Sequence, residues 1–119
     1  MTRHVILFQP QFADKVKDGT KLQTIRPPRK RPIHPGDELS LRRWTGKPYR
    51  SKQEVLREAV CSEVMGIEIS KLFVTYSVPG PGLDALDHAD GFRDWPEMRE
   101  WFRKTHGLPF VGVLIRWAG

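Results

Sequence analysis

The spacing of apolar positions changes from segment to segment along this chain, and the changes mark out its elements. His4-Val5-Ile6-Leu7-Phe8-Gln9 is a nearly continuous apolar run stopped by Pro10. That is the pattern of a buried strand meeting a residue with no N–H for a sheet ladder. Residues 11 to 18 place Phe12 and Val16 on one face and Asp14, Lys15 and Asp18 toward water, which predicts a short helix closed by Gly19 at positive φ. Pro27, Pro28, Pro32 and Pro35 then fix a stiff, turn-rich loop between Arg26 and Gly36. Glu38 to Trp44 alternates as a half-buried strand does, and residues 45 to 55 read as a polar loop.

Leu56 to Ser70 carries Val60, Cys61, Val64, Ile67 and Ile69 around Gly66, predicting a long strand with a bulge or bend at that glycine. A short strand follows over Leu72 to Tyr76, and Val78-Pro79-Gly80-Pro81-Gly82 breaks the chain. Asp94-Trp95-Pro96-Glu97 has the cap, first-turn proline and acidic residue of a helix start. Trp95, Met98, Trp101 and Phe102 form that helix's apolar stripe, and Gly107 ends it after Lys104. Phe110 to Ala118 is apolar on both faces, as a central strand is. Five or six strands with two helices predict a small mixed barrel or curled sheet, of the α+β or mainly β class.

At 119 residues, 39% hydrophobic, the chain supports one core and one domain. Cys61 is the only cysteine, which excludes an intrachain disulfide framework, fits a reducing compartment and reads as a small core residue. No apolar run approaches the roughly 20 residues of a membrane-spanning helix, so a soluble cytoplasmic protein is expected, with no membrane partner. The formal charge of +6 is unevenly spread: residues 21 to 52 hold ten basic and two acidic groups, while the remainder is slightly acidic. One electropositive flank should therefore attract phosphates, with Arg29-Lys30-Arg31 its tightest cluster. A merely solvated loop is the competing reading of that cluster.

Candidate chemistry lies just before the Pro-rich loop, in Gly19-Thr20-Lys21-Leu22-Gln23-Thr24-Ile25-Arg26. If residues 24 to 26 are extended, Thr24 and Arg26 project to one side and Ile25 to the other, toward the core. Lys21 joins them if the chain turns after the helix end. The group can hold an anion, Arg26 as a planar fork and Lys21 as a point charge. It can also do nucleophilic work, provided a base takes the threonine proton and burial or nearby positive charge lowers the lysine pKa.

Gly19-x-Lys21-x-x-Thr24-x-Arg26, followed by Pro35-Gly36-Asp37-x-Leu39, resembles the signature of the ASCH domain family. Cys61 in an alternating strand, Asp90-Gly91-Phe92 before the amphipathic helix, and the closing apolar strand extend the resemblance over nearly the whole chain. It implies a PUA-like β-barrel with two or three flanking helices and a cleft facing RNA or nucleosides. Some small bacterial ASCH proteins are amidohydrolases that deacylate N(4)-acetylcytidine with a Lys, a Thr and a Glu. By position these correspond to Lys21, Thr24 and Asp90, the last a departure, since Asp is one methylene shorter. The resemblance then implies attack by Thr24, with Lys21 as base and Asp90 positioning Lys21 or protonating the leaving amine. Other ASCH proteins are ribonucleases or RNA-binding modules, the alternative that the basic 21 to 52 segment suits.

Further candidates add to the binding surface. Trp44 and Tyr49 border Arg42, Arg43, Lys47 and Arg50, the interleaving of rings and cations that a single-strand binder uses. Trp95, Trp101 and Trp117 read as core. His88 is placed at the cleft rim beside Asp90 or in a solvated loop. The four histidines are scattered and show no metal-site spacing, and no phosphate loop or nucleotide fingerprint calls for a cofactor. RNA or a modified nucleoside is the expected partner, for a monomer or weak dimer.

Overall fold

A computed structural model describes residues 2–77, 86 and 90–118. Its strands are β1 (Arg3–Leu7), β2 (Gln23–Arg26), β3 (Glu38–Trp44), β4 (Gln53–Ile69), β5 (Val74–Tyr76) and β6 (Phe110–Trp117), and its helices are α1 (Pro10–Asp18) and α2 (Trp95–Thr105). The result is a small α+β domain, mostly sheet.

The ladder runs β1-β3-β4-β6-β2, with β5 paired to β4, and among the described residues only the β1–β3 contact is parallel. The expected barrel is not closed by hydrogen bonds among the described residues, because β1 and β2 remain the two ends of the path. The Pro-rich connection runs beside β1, where Arg29 donates to the Val5 carbonyl at 3.3 Å. Prolines cannot donate to a ladder, and this segment does not extend the sheet.

Curvature comes from β4. Its first half pairs with β3 and its second half with β6, and in each pairing the register slips by one residue, leaving Leu56 and Ser62 as extra residues on β4. Such bulges bend a strand and raise its local twist. The expected bulge is thus not at Gly66, which stays in register opposite Val113. One bulge, at Ser62, lies where β4 passes from β3 to β6, and the other, at Leu56, lies within the β3 pairing.

Inside the curl, Ile6, Leu39, Leu41, Ile69, Leu114 and Ile115 meet Val16 of α1 and Met98 and Phe102 of α2, all buried. Cys61 is buried among them, as the sequence predicts. Trp117 is buried as well, while Trp95 and Trp101 are half-buried against the core. Asp94 caps α2 by accepting from Glu97 N–H at 2.9 Å, and Glu97 in turn accepts from Arg93 N–H at 3.1 Å. Among the described residues no helix is long and apolar enough to cross a membrane. The Val78 to Gly82 break and His88 lie outside the described residues.

Candidate active site

The site begins with the end of α1. Gly19 takes a left-handed conformation with φ 87°, and its N–H caps the Val16 carbonyl. The chain then doubles back, and Lys21 N–H donates to the Lys15 carbonyl at 2.9 Å. That reversal turns Lys21 beneath the helix, where the whole side chain is only 2% exposed. β2 follows, hydrogen-bonded to β6 from Gln23 to Arg26, and holds Thr24 with 4% of its surface exposed.

Asp90 arrives from the other half of the chain, held by a clamp on the turn that follows it. Gly91 has φ 93°, and a Cβ there would lie 3.2 Å from Phe12 and 3.4 Å from the Lys21 side chain. Both the backbone angle and the close packing call for glycine. Lys15, expected to face water, donates its ammonium to the Gly91 carbonyl at 2.7 Å. Phe92 plugs the core, its ring 5.3 Å from Phe12 and 5.8 Å from Trp101.

These elements bring an amine and a carboxyl together in a dry place. Lys21 Nζ lies 3.3 Å from Asp90 Oδ1 and donates to the Asp90 backbone carbonyl at 2.5 Å. Phe12 and Phe8 face the ammonium at 5.1 and 5.9 Å. Burial lowers the Lys21 pKa, opposed by the Asp90 charge, and burial raises that of Asp90, opposed by Lys21. The two shifts converge, so a proton passes between amine and carboxyl at less cost than between the same groups in water.

A pocket of about 160 Å³ opens onto this pair, lined by Lys21, Thr24, Arg26 and Asp90 together with Phe8, Trp101 and His106. Arg26 Nε donates to Thr24 Oγ1 at 2.9 Å, which confirms that the two share a side of β2. The guanidinium also lies 4.9 Å from the Phe8 ring centre. Its pKa is pushed down to about 10, chiefly by burial, so it remains cationic at neutral pH. A cation donating to the threonine oxygen favours the alkoxide over the alcohol.

Comparison of this chain with protein-family models, curated proteins and solved structures finds no match.

Two contributors escaped sequence reasoning. Gln23, one of the unspecified positions of the signature, is 1% exposed. It donates through Nε2 to Asp90 Oδ1 at 3.5 Å and accepts from Arg116 Nε at 3.3 Å, and Arg116 itself pairs with Glu63 at 3.1 Å. This chain of contacts fixes the Gln23 amide so that its donor end faces the carboxyl. Its only advance signal was its alternation with Ile25. His106 lines the pocket from the end of α2, among Trp101, Phe102 and Phe110, and burial lowers its pKa, with Arg26 adding to the effect. Its position one turn beyond Phe102 was the available clue.

The predicted binding surface divides. Arg42 is engaged by Ser40 at 2.8 Å and Gln53 at 3.0 Å, and Arg43 by Glu54 at 2.5 Å. Arg29 spends a donor on the Val5 carbonyl. Lys30 and Arg31 are exposed with no side-chain partner among the described residues. Trp44 and Tyr49 pack against each other, ring centres 5.2 Å apart. Among the described residues no three His, Cys, Asp or Glu side chains gather as a metal site would need.

Proposed function

We propose that this chain is an amidohydrolase that removes the acyl group from N(4)-acylated cytidine, built on an open version of the PUA-like ASCH fold. The observation that carries the reading is the buried Lys21–Asp90 contact at 3.3 Å, facing a pocket that Thr24 also lines. At about 160 Å³ the pocket lies below the roughly 300–1,000 Å³ of drug-sized sites, a size suited to one planar base with its acyl group. Its aromatic wall matches a base face and its polar end an amide.

In this mechanism neutral Lys21 takes the proton of Thr24 as Oγ1 bonds to the acyl carbonyl carbon. Arg26 offsets the negative charge that develops on the oxygens. Collapse breaks the C–N bond, the proton held by Lys21 passes to the departing N4 amine, and cytidine leaves. Water then attacks the threonyl ester, giving its proton to Lys21, and the acid departs as Thr24 is reprotonated. Asp90 holds the Lys21 amine in place throughout, and Gln23 holds Asp90.

The test is release of cytidine from N(4)-acetylcytidine by wild type, Thr24→Ala, Thr24→Ser and Lys21→Met. Loss of a nucleophile or base should lower kcat by about 10²- to 10⁴-fold, with Thr24→Ser retaining part of the activity. Equal turnover by all four removes the reading.

Lys30, Arg31, Lys47, Arg50 and Lys52, exposed and without side-chain partners among the described residues, favour a second reading as a nucleic-acid-binding module. Its mark is affinity for a single strand that falls steeply with salt.

A further inference from the structure

Beside the pocket of Lys21 lies a second concavity, about 230 Å³, lined by Trp44, Gly46, Pro48, Leu7, Phe8 and Gln9 among others. Leu7, Phe8 and Gln9 also line the first pocket. A single tripeptide at the junction of β1 and α1 is therefore the wall between the two, and a ligand leaving one can enter the other by crossing it.

The two sides of this wall differ in chemistry. On the first lie an amine, a hydroxyl and a carboxyl. On the second the lining carries no charged side chain, its polar groups being the Gln9 amide and the Trp44 indole N–H, set among Leu7, Phe8 and two prolines. Tyr49 braces Trp44 at 5.2 Å while itself 87% exposed, and it holds φ 64°, a backbone region that bulky residues rarely adopt. Conformational cost is thus spent at the tip of a loop that does nothing for the core. Around the tip, Lys47, Arg50 and Lys52 are exposed with no side-chain partner among the described residues. Glu54, the neighbouring acid, is already occupied by Arg43 at 2.5 Å and Lys17 at 3.6 Å. An aromatic wall beside a loop of uncompensated cations suits a flat, uncharged ring attached to a phosphodiester. An apolar peptide would leave the three cations unanswered.

We infer that the Trp44 concavity is a second base subsite, taking the nucleotide adjacent to the acylated cytidine, so that the substrate is a residue within a single RNA strand and not a free nucleoside. This rests on the amidohydrolase reading. The base beside the target stacks on Trp44, the connecting phosphate crosses the wall at Phe8, and the loop cations hold the phosphates beyond.

The experiment compares kcat/KM on free N(4)-acetylcytidine with that on a short oligouridine carrying one N(4)-acetylcytidine. Both are measured for wild type, Trp44→Leu and Trp44→Phe. Wild type should prefer the strand, Trp44→Leu should lose about tenfold of that preference as one base stack is removed, and Trp44→Phe should keep most of it. Equal kcat/KM on the two substrates, or an unchanged preference in Trp44→Leu, overturns the subsite. A fluorescently labelled oligouridine followed by anisotropy gives a readout that needs no turnover. If neither substrate is hydrolysed, the amidohydrolase reading fails by itself, and anisotropy then decides the subsite: weaker binding by Trp44→Leu supports it, and equal binding by both proteins rejects it.

Discussion

Within one stretch of sequence the chain places positive charge in two opposite environments. Lys21 is sealed under α1 with a carboxyl at 3.3 Å, whereas Lys30 and Arg31 stand in water with no partner among the described residues. In the first environment removal from water dominates: the charged forms of amine and acid are both disfavoured, and each depends on the other. In the second, the high dielectric of water and screening by salt make each interaction weak. Counting basic residues treats the two alike. Burial separates a group able to give and take a proton from groups able only to attract.

The contrast is broken most forcefully by removing half of the buried pair. Lys21→Met or Asp90→Leu alone should cost about 3–5 kcal/mol, because each strands a polar group in the core. Lys21→Met combined with Asp90→Leu should cost clearly less than the sum of the single changes, by a coupling of about 1–3 kcal/mol in urea unfolding. Additive losses would mean that the two groups do not act as a unit.

The same pair sets a pH dependence. In the proposed mechanism the reactive form of Lys21 is the neutral amine, so kcat/KM should fall about tenfold per pH unit below its pKa, which burial holds under the ordinary lysine value. The Asp90 charge works the other way and keeps the proton on. Asp90→Asn should therefore move the acidic limb of the rate profile to lower pH in the folded fraction. A limb that moves upward would contradict Lys21 as the base.

A pair of glycines sharpens the comparison on a smaller scale. Gly91 and Gly36 have nearly the same φ, 93° and 94°, but a Cβ at Gly91 meets Phe12 and Lys21 while one at Gly36 meets nothing within 4 Å. Gly36→Ala should cost only backbone strain, about 1 kcal/mol. Gly91→Ala adds displacement of the turn carrying Asp90, so it should cost about 1–3 kcal/mol more and reduce turnover as well. Equal losses of stability and activity would show that the turn does not set the carboxyl.

Much of this was legible in the chain. β3 and α2 fall where alternation and capping put them, and the Lys21, Thr24, Arg26 spacing does deliver three groups to one pocket. The rest depended on contacts between distant segments. β4 slips register twice, at Leu56 within its pairing to β3 and at Ser62 where it passes to β6, and no local pattern in residues 53 to 69 announces either. Gln23 becomes part of the site only because Arg116, 93 residues away, takes its carbonyl. Arg42 and Arg43 resemble phosphate ligands in sequence, and β4 supplies Gln53 and Glu54 to occupy them.

The smallest expected effect belongs to the exposed half of the comparison. Lys30→Gln with Arg31→Gln should shift unfolding free energy by no more than about 0.5 kcal/mol, because neither side chain packs on the core or closes a buried pair. If both cations meet phosphates of a single strand, two counterion releases are lost, and the slope of log K against log salt should become shallower by about 1.4. Anisotropy titrations at several salt concentrations measure that slope directly. An unchanged slope would remove Lys30 and Arg31 from the strand's path and favour Lys47, Arg50 and Lys52 as its cationic contacts. The same titration on Lys21→Met should keep the wild-type slope, because a buried amine paired with a carboxylate has no counterion to release.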